Sequence, residues 1–305
     1  MHPAARCPIG PCARNALRHP RSQHTVAMEK NQIPSLPADC LGRISALEGC
    51  PVPLLAIETS GDCCSVALGT PGGQCIELSA PRPQSHAKVL TLLIETALQK
   101  AHIDYPALKG IAVSDGPGSY TGLRIGASTA KGMAFALGIP MFSVPTLQAI
   151  ALAMKMTLAP EERTAQARFL PMIDARRLEV YTQPFDDQLK PLEGVQSKIF
   201  NPQEANYFAK YPGAYAAGSG TQKGIEYLTH LGLRPLGDIH FAAEQILRLG
   251  LNKYLHHEPV STAYYTPFYL KAFQASRPKP GILDRLRAGM AGATPLRPAH
   301  VGPEQ

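Results

Sequence analysis

Residues 115–126, DGPGSYTGLRIG, constrain the fold of this chain more than any other segment. They follow a short apolar run, residues 110–114, of the kind that forms a parallel strand covered on both faces. Glycine and proline then break the strand, and Ser119 or Thr121 can cap the first free N–H groups of a helix. The sequence therefore predicts a buried strand, a tight turn and a helix in direct succession.

Small residues recur along one side of the predicted helix. They are four residues apart: Gly122, Gly126, Ala130 and Ala134. Each interior glycine costs a helix roughly 1 kcal/mol relative to alanine, so something must offset that cost. We expect either a neighbouring backbone packed unusually close to this side or a ligand held against the turn.

The middle of the chain is nearly neutral, although the formal net charge is +7. Residues 1–52 carry six basic and three acidic side chains, and residues 276–305 carry five and two. The residues between them carry 19 basic and 18 acidic side chains. Because a self-sufficient RNA-binding domain normally carries a basic patch, this balance disfavours an independent RNA binder. A local basic patch within the nearly neutral middle of the chain remains compatible with this balance of charge.

Cysteine usage argues against a disulfide-stabilised protein, and hydropathy argues against a membrane-spanning one. All seven cysteines lie at or before Cys75, in an odd number and without the paired spacing of a zinc site. We expect them to be small buried hydrophobic residues in a reducing compartment. No apolar run reaches the roughly 18 residues needed to span a bilayer. We predict a cytoplasmic protein that makes no membrane contact.

Alternating strand and helix patterns divide the chain into two α/β domains. The predicted boundaries are residues 53–157 for the first domain and 158–275 for a second, smaller one. Residues 1–52 are interpreted as a disordered leader or an over-long gene model, and residues 276–305 as a flexible basic tail.

The predicted elements of the first domain are a strand hairpin at 53–69, a strand near 74–79, a helix at 85–101, the central strand and helix, a strand at 139–144 and a helix from Thr146. In the second domain they are a hairpin of strands at 168–174 and 178–185, a strand at 214–217 and a helix at 241–251.

Five segments occur in the order and spacing of the TsaB family of tRNA threonylcarbamoyladenosine biosynthesis proteins. They are IETSGDCCSVALG, SHAKVLTLLI, DGPGSYTGLRIG, IDARRLEVY and PFYLKAF. The chain resembles this family over about residues 53–275. The resemblance implies an α/β fold of two actin-like (ribonuclease H-like) halves, each a mixed sheet flanked by helices.

The same resemblance implies a function. TsaB proteins are noncatalytic partners of the paralogue TsaD, which carries the metal and the transferase chemistry, and they act together with the ATPase TsaE. The complex transfers threonylcarbamoyl to the adenosine beside the anticodon of tRNAs that read codons starting with A. The resemblance therefore implies a heterodimer with TsaD, a TsaE-type ATPase in the complex, and contact with tRNA only through that complex.

One residue departs from the family pattern. Glu58 stands where TsaB relatives usually have aspartate, and a glutamate there is more typical of TsaD. A TsaD-type metal site needs two histidines one helical turn apart, so that both imidazoles reach one ion. His86 is followed four residues later by Leu90, so the predicted helix offers at most one such ligand. We predict no metal and no catalysis by this chain.

The helix at 85–101 has a broad apolar face with two interpretations. It can simply cover its own sheet, or it can form, with the small-residue helix, a surface that meets an equivalent pair of TsaD helices as a four-helix bundle. The predicted partner-binding residues are His86, Val89, Leu90, Leu93, Thr121, Arg124, Gly126, Ala127, Ala130 and Lys131. The same surface would let the free chain form a homodimer. The sequence is equally compatible with a monomeric free chain.

Two turns are candidate binding sites. Glu58, Thr59 and Ser60 lie where actin-like ATPases hold phosphate, and we interpret them as a vestigial nucleotide loop. Because the only faint counterpart is GSGT at 218–221, we predict no cofactor. The alternative function is a stand-alone actin-fold ATP-dependent small-molecule kinase or hydrolase. Asp174 and Arg176, in the second hairpin, are either ordinary turn residues or a contact with the partner or tRNA.

Overall fold

The computed structural model describes residues 40–80 and 86–271. The elements up to residue 157 are, in chain order, the strands β1 (Leu41–Ala46), β2 (Leu54–Glu58), β3 (Cys64–Gly69) and β4 (Gln74–Ala80), helix α1 (His86–Ala101), strand β5 (Gly110–Gly116), helix α2 (Tyr120–Leu137), strand β6 (Met141–Pro145) and helix α3 (Thr146–Thr157). The later elements are the strands β7 (Phe169–Asp174), β8 (Glu179–Thr182) and β9 (Gln196–Ile199), helix α4 (Ala205–Ala209), strand β10 (Tyr215–Ala217), helix α5 (Ile225–His230), strand β11 (Arg234–Pro235) and helix α6 (Ala243–Leu255). Predictions for residues 1–39, the Ser85 cap and residues 276–305 lie outside the described residues.

The two sheets repeat one topology. The first has the order β1-β4-β3-β2-β5-β6 and the second β11-β10-β7-β8-β9. Without β1, each sheet begins with three consecutive antiparallel strands. The first of these three strands also pairs in parallel with a fourth strand, which in turn pairs in parallel with a fifth. Two mixed sheets of this order, each flanked by helices, are the two predicted actin-like halves.

Apolar side chains cover both faces of the first sheet. On one face, α1 and the buried side of α2 pack against β2, β3 and β5, and on the other face α6 packs against the same strands. Strands β2 and β3 are buried throughout, as expected of strands covered on both faces.

Two boundaries predicted from the sequence need correction. Residues 41–46, assigned to the leader, form β1, which pairs antiparallel with β4, and Leu47 and Cys50 are buried beside it. Because five of the six residues of β1 are exposed and they include glycine and arginine, no strand-like alternation is visible in the sequence. Helix α6 follows the second sheet in sequence but packs on the first, so it does not belong to a separate second domain.

The short elements β9, β11, α4 and α5 were not predicted, because segments of two to six residues carry too few positions for a periodic pattern. Cys50, Cys64 and Cys75 are buried free thiols, as expected. Burial raises the pKa of the half-buried Cys63 to about 11. Among the described residues, no helix is both long and apolar enough to cross a bilayer.

Candidate partner interface and interdomain cleft

The small side of α2 packs against the turn between β2 and β3. A Cβ atom on Gly122 would lie 1.9 Å from the carbonyl oxygen of Thr59, and one on Gly126 would lie 2.3 Å from the Thr59 hydroxyl. The turn is tied to the helix start, because Ser119 N donates to Ser60 O at 2.6 Å, while the Ser119 hydroxyl caps Gly122 N as predicted. Of the two explanations for the glycines, a close backbone is therefore the one observed, and it belongs to the same chain.

Most of the predicted partner-binding side chains are not on the surface. Six of them are buried by the first sheet or by the β2–β3 turn: Val89, Leu90, Leu93, Gly126, Ala127 and Ala130. Lys131 Nζ is also committed within the chain, since it donates to the carbonyl oxygens of Ala263 and Tyr265. The apolar face of α1 thus covers its own sheet, and the buried members of this set offer almost no exposed surface to a partner. The side chain of His86 lies outside the described residues.

An exposed stripe runs along the other side of α2. It consists of Thr121, Arg124, Ser128, Gly132 and Phe135, and we call it the outer stripe. Spacings of three and four residues place its members on one helix face. Phe135 is 85% exposed. Only Thr121 and Arg124 were predicted. Ser128, Gly132 and Phe135 share their helical spacing, and that spacing is the signal in the sequence that identifies them.

A shallow cavity of about 600 Å³ lies between the start of α1 and α2. It is lined by Ala87, Tyr120, Thr121, Arg124, Ile125, Ser128 and Thr129. Arg124 lies over the ring of Tyr120, with its guanidinium carbon 5.5 Å from the ring centroid. The cavity and the outer stripe form one continuous surface of mostly small side chains.

The predicted nucleotide loop is filled by its own glutamate. Glu58, Thr59 and Ser60 are buried, and the carboxylate of Glu58 accepts hydrogen bonds from the backbone N–H and the hydroxyl of Ser60. Thr59 N donates to the Ser114 hydroxyl at 3.4 Å. Burial raises the pKa of Glu58 above its ordinary 4.5, and hydrogen bonds from Ser60, Ser114 and the Gly61 backbone oppose that rise. The donors of this turn therefore point at a side chain of the chain itself.

The cleft between the two halves holds a second cavity of about 660 Å³. Ser60, Gly61 and Asp62 line it from the first half, and Gly218, Ser219 and Thr221 of the GSGT segment line it from the second. Its ionisable lining residues are Glu58, Asp62 and Asp238, together with Cys63, and among the described residues no lysine, arginine or histidine joins them. Such a cavity offers phosphate no cation.

A further group of potential metal ligands lies at the start of α6. Oxygen or nitrogen atoms of Glu77, His240 and Glu244 lie within 4.8 Å of one another. Glu77 already accepts from His240 Nε2 at 2.7 Å and from Glu244 N at 2.9 Å, and Arg248 donates to Glu244. These bonds fasten α6 to β4, which accounts for the group as a structural contact.

Two mixed sheets of the same strand order, joined across a cleft, define an actin-like protein. The family model described as "TsaD: tRNA N6-adenosine threonylcarbamoyltransferase" matches residues 81–234, half of the chain. The chain belongs to this family, and within it to the TsaB type.

Three relatives illustrate the similarity. The Haemophilus influenzae "tRNA threonylcarbamoyladenosine biosynthesis protein TsaB" is 27% identical over 72% of this chain and 93% of its own. The Geotalea daltonii "tRNA N6-adenosine threonylcarbamoyltransferase" is 36% identical over 28% of this chain and 24% of its own. A solved Pseudomonas aeruginosa protein, described as similar to the peptidase YeaZ, superposes with a TM-score of 0.62 at 27% identity, over 72% of this chain and 100% of that one.

Proposed function

We propose that this chain is a noncatalytic scaffold that binds its TsaD-type paralogue. In this role it is required for transfer of threonylcarbamoyl to the adenosine beside the anticodon of tRNAs reading codons that start with A. The names of its TsaB relatives support a part in tRNA threonylcarbamoyladenosine biosynthesis. The outer stripe carries the scaffold proposal, because it is a helix face that nothing in the described chain covers.

The composition of the outer stripe fits a helix-packing surface. Ser128 and Gly132 present little bulk, so a second helix can approach α2 closely, and Phe135 offers an aromatic anchor at one end. Arg124 supplies a charge near the other end, in the pattern of an apolar centre with a charged rim. A paralogue that presents an equivalent helix pair would complete a four-helix arrangement.

The interdomain cleft supports a noncatalytic role. A stand-alone ATP-dependent kinase or hydrolase needs two facing phosphate loops, cations for the phosphates and a carboxylate for magnesium. The described cleft lining supplies carboxylates without cations, and Glu58 occupies the donors of the first loop. Titration of the isolated chain with ATP tests this point: micromolar binding with turnover would favour the kinase or hydrolase.

Affinity purification with the TsaD-type protein of the same organism tests the docking surface. Phe135→Arg replaces the aromatic anchor at one end of the proposed contact with a charge and is expected to abolish retention of the paralogue. Leu255→Arg is the matched control, because Leu255 is an exposed apolar residue on α6, away from the outer stripe. Leu93→Arg would be unsuitable, since Leu93 is fully buried and the variant would unfold.

Retention of the paralogue by Phe135→Arg at the wild-type yield would show that the outer stripe is not the docking surface. The role in tRNA modification has a separate readout, the threonylcarbamoyladenosine content of total tRNA after depletion of the chain. An unchanged content would refute that role. A TsaE-type ATPase in the complex and a homodimer of the free chain remain predictions, which size measurements of the purified proteins can check.

A further inference from the structure

A strip of cations and aromatic rings joins the two halves of the molecule. It consists of Tyr120, Tyr269, Lys271, Tyr181, Arg176 and Arg177, and we call it the basic strip. The ring centroids of Tyr120 and Tyr269 lie 4.8 Å apart, and Lys271 Nζ lies 6.0 Å from the Tyr181 centroid. Since Tyr269 and Lys271 are two residues apart, their Cα atoms are within about 7 Å of each other. The segment ending at Lys271 therefore connects the start of α2 with the β7–β8 hairpin.

The carboxylates beside the strip are already neutralised by lysines. Lys223 Nζ lies 2.6 Å from Asp174 and Lys271 Nζ lies 2.5 Å from Glu179. Partial burial raises the pKa of each carboxyl, but the lysine hydrogen bonds outweigh it and hold both pKa values below their ordinary range. Arg176 and Arg177 are exposed, and their side chains form no hydrogen bond or ion pair with any described residue. The surface thus keeps an excess of positive charge within a nearly neutral chain.

The backbone of the β7–β8 hairpin is unusual at the same two residues. Arg176 and Arg177 have φ angles of 74° and 52°, in the left-handed region that glycine and asparagine favour. Two consecutive arginines there oppose the local conformational preference and project two guanidinium groups from the tip, beside the exposed Leu178. Departures of this kind concentrate at functional sites.

We propose that the basic strip binds the phosphate backbone of RNA in a loop or single strand. The guanidinium groups of Arg176 and Arg177 match phosphate oxygens bidentately. The exposed parts of the tyrosine rings can stack on unpaired bases, as in other surfaces that combine cations with aromatic rings. An acidic protein surface would satisfy the arginines but not use the rings, so RNA is the favoured partner. Only the identification of the RNA as a tRNA rests on the proposed function. The affinity of the basic strip for RNA is independent of it.

The test uses the full chain and a fluorescein-labelled, unmodified transcript of a tRNA that reads a codon starting with A. The variant carries Arg176→Asn and Arg177→Gly, which remove both charges and suit the left-handed backbone, so it should melt at or above the wild-type temperature. The control carries Lys100→Asn and Lys190→Asn, exposed lysines at the end of α1 and near the opposite end of β7. Both proteins lose two positive charges.

Fluorescence anisotropy at several salt concentrations gives the affinity and its salt dependence. At about 0.1 M salt we expect roughly tenfold weaker binding by the arginine variant than by the control. Loss of two phosphate contacts should also lower the slope of log affinity against log salt by about 1.4 to 1.8. The control should stay within about twofold of the wild-type affinity.

Three results would overturn the proposal. The first is no binding of the transcript by the wild-type chain at about 50 mM salt, and the second is equal affinity for the arginine variant and the control. The third is unchanged RNA binding combined with lost retention of the TsaD-type paralogue, which would make the strip a protein contact. Because the RNA titration needs no partner, a failure of the scaffold proposal leaves this test decisive.

Discussion

Glu58 shows how one residue can change the use of a turn. Its carboxylate accepts hydrogen bonds from the N–H and the hydroxyl of Ser60, within the turn interpreted from the sequence as a vestigial nucleotide loop. Aspartate, one methylene shorter, would reach less far into the turn. Burial of this carboxyl group raises its pKa, and the stability of the protein should report its titration.

We predict that Glu58→Gln changes the pH dependence of stability. Because burial raises the folded-state pKa of Glu58 above its ordinary 4.5, the folded chain holds this proton more tightly than the unfolded chain does. Its stabilising contribution is complete below about pH 4.5 and is lost as pH rises through the folded pKa. Glutamine does not titrate, so the variant should gain in free energy of unfolding relative to wild type from pH 4 to pH 8.

Urea unfolding at pH 4, 6 and 8 measures this difference. Glu48→Gln serves as the control, since Glu48 is an exposed carboxylate in the loop after β1. A difference between wild type and Glu58→Gln that stays constant over this range would mean that Glu58 has the same pKa in the folded and the unfolded chain.

At the scale of elements, α2 has two sides with opposite requirements. The inner side needs glycine because Thr59 approaches it, whereas the outer stripe has open space at Gly132, where a Cβ atom would meet nothing within 4 Å. We predict that Gly122→Ala destabilises the chain by about 1–3 kcal/mol through overpacking, despite the better helix propensity of alanine.

Gly132→Ala is the matched change on the same helix and should stabilise it by up to about 1 kcal/mol. Chemical denaturation of both variants measures these free energies. Equal stabilisation by the two substitutions would show that Thr59 gives way without cost and that the close approach does not select glycine.

Sequence patterns predicted the elements that have a strong period or a terminating residue. The strand–turn–helix unit and the Ser119 cap follow from local chemistry. What the apolar face of α1 packs against does not follow from the sequence, because Val89, Leu90 and Leu93 give the same apolar pattern whether they contact a sheet or a partner. The sequence alone therefore does not distinguish burial within the chain from contact with a partner at these positions, and the outer stripe carries no apolar period that would mark it in the sequence.

At the scale of the whole molecule, α6, near the end of the described chain, packs on the first sheet, which lies near its beginning. Leu247 is fully buried against the first sheet, and Phe241, which precedes the helix, packs against the cores on both sides of the cleft. Helix α3 adds a second link, since Leu147 and Ile150 pack with Phe169 of the second sheet. Apolar packing that crosses the cleft in this way makes independent unfolding of the halves unfavourable.

We predict that the two halves unfold in one transition, and that a substitution in α6 destabilises both halves. Leu247→Ala should cost about 2–5 kcal/mol, because it leaves a cavity in the core between α6 and the first sheet. Leu255→Ala, near the exposed end of the same helix, should cost less than about 0.5 kcal/mol. Hydrogen exchange in rising urea measures the opening of β3 and β8 separately. Both strands should lose protection at one urea concentration, which falls in Leu247→Ala. Earlier opening of β3 alone would mean that the second sheet is stable without α6, and that the halves behave as separate domains.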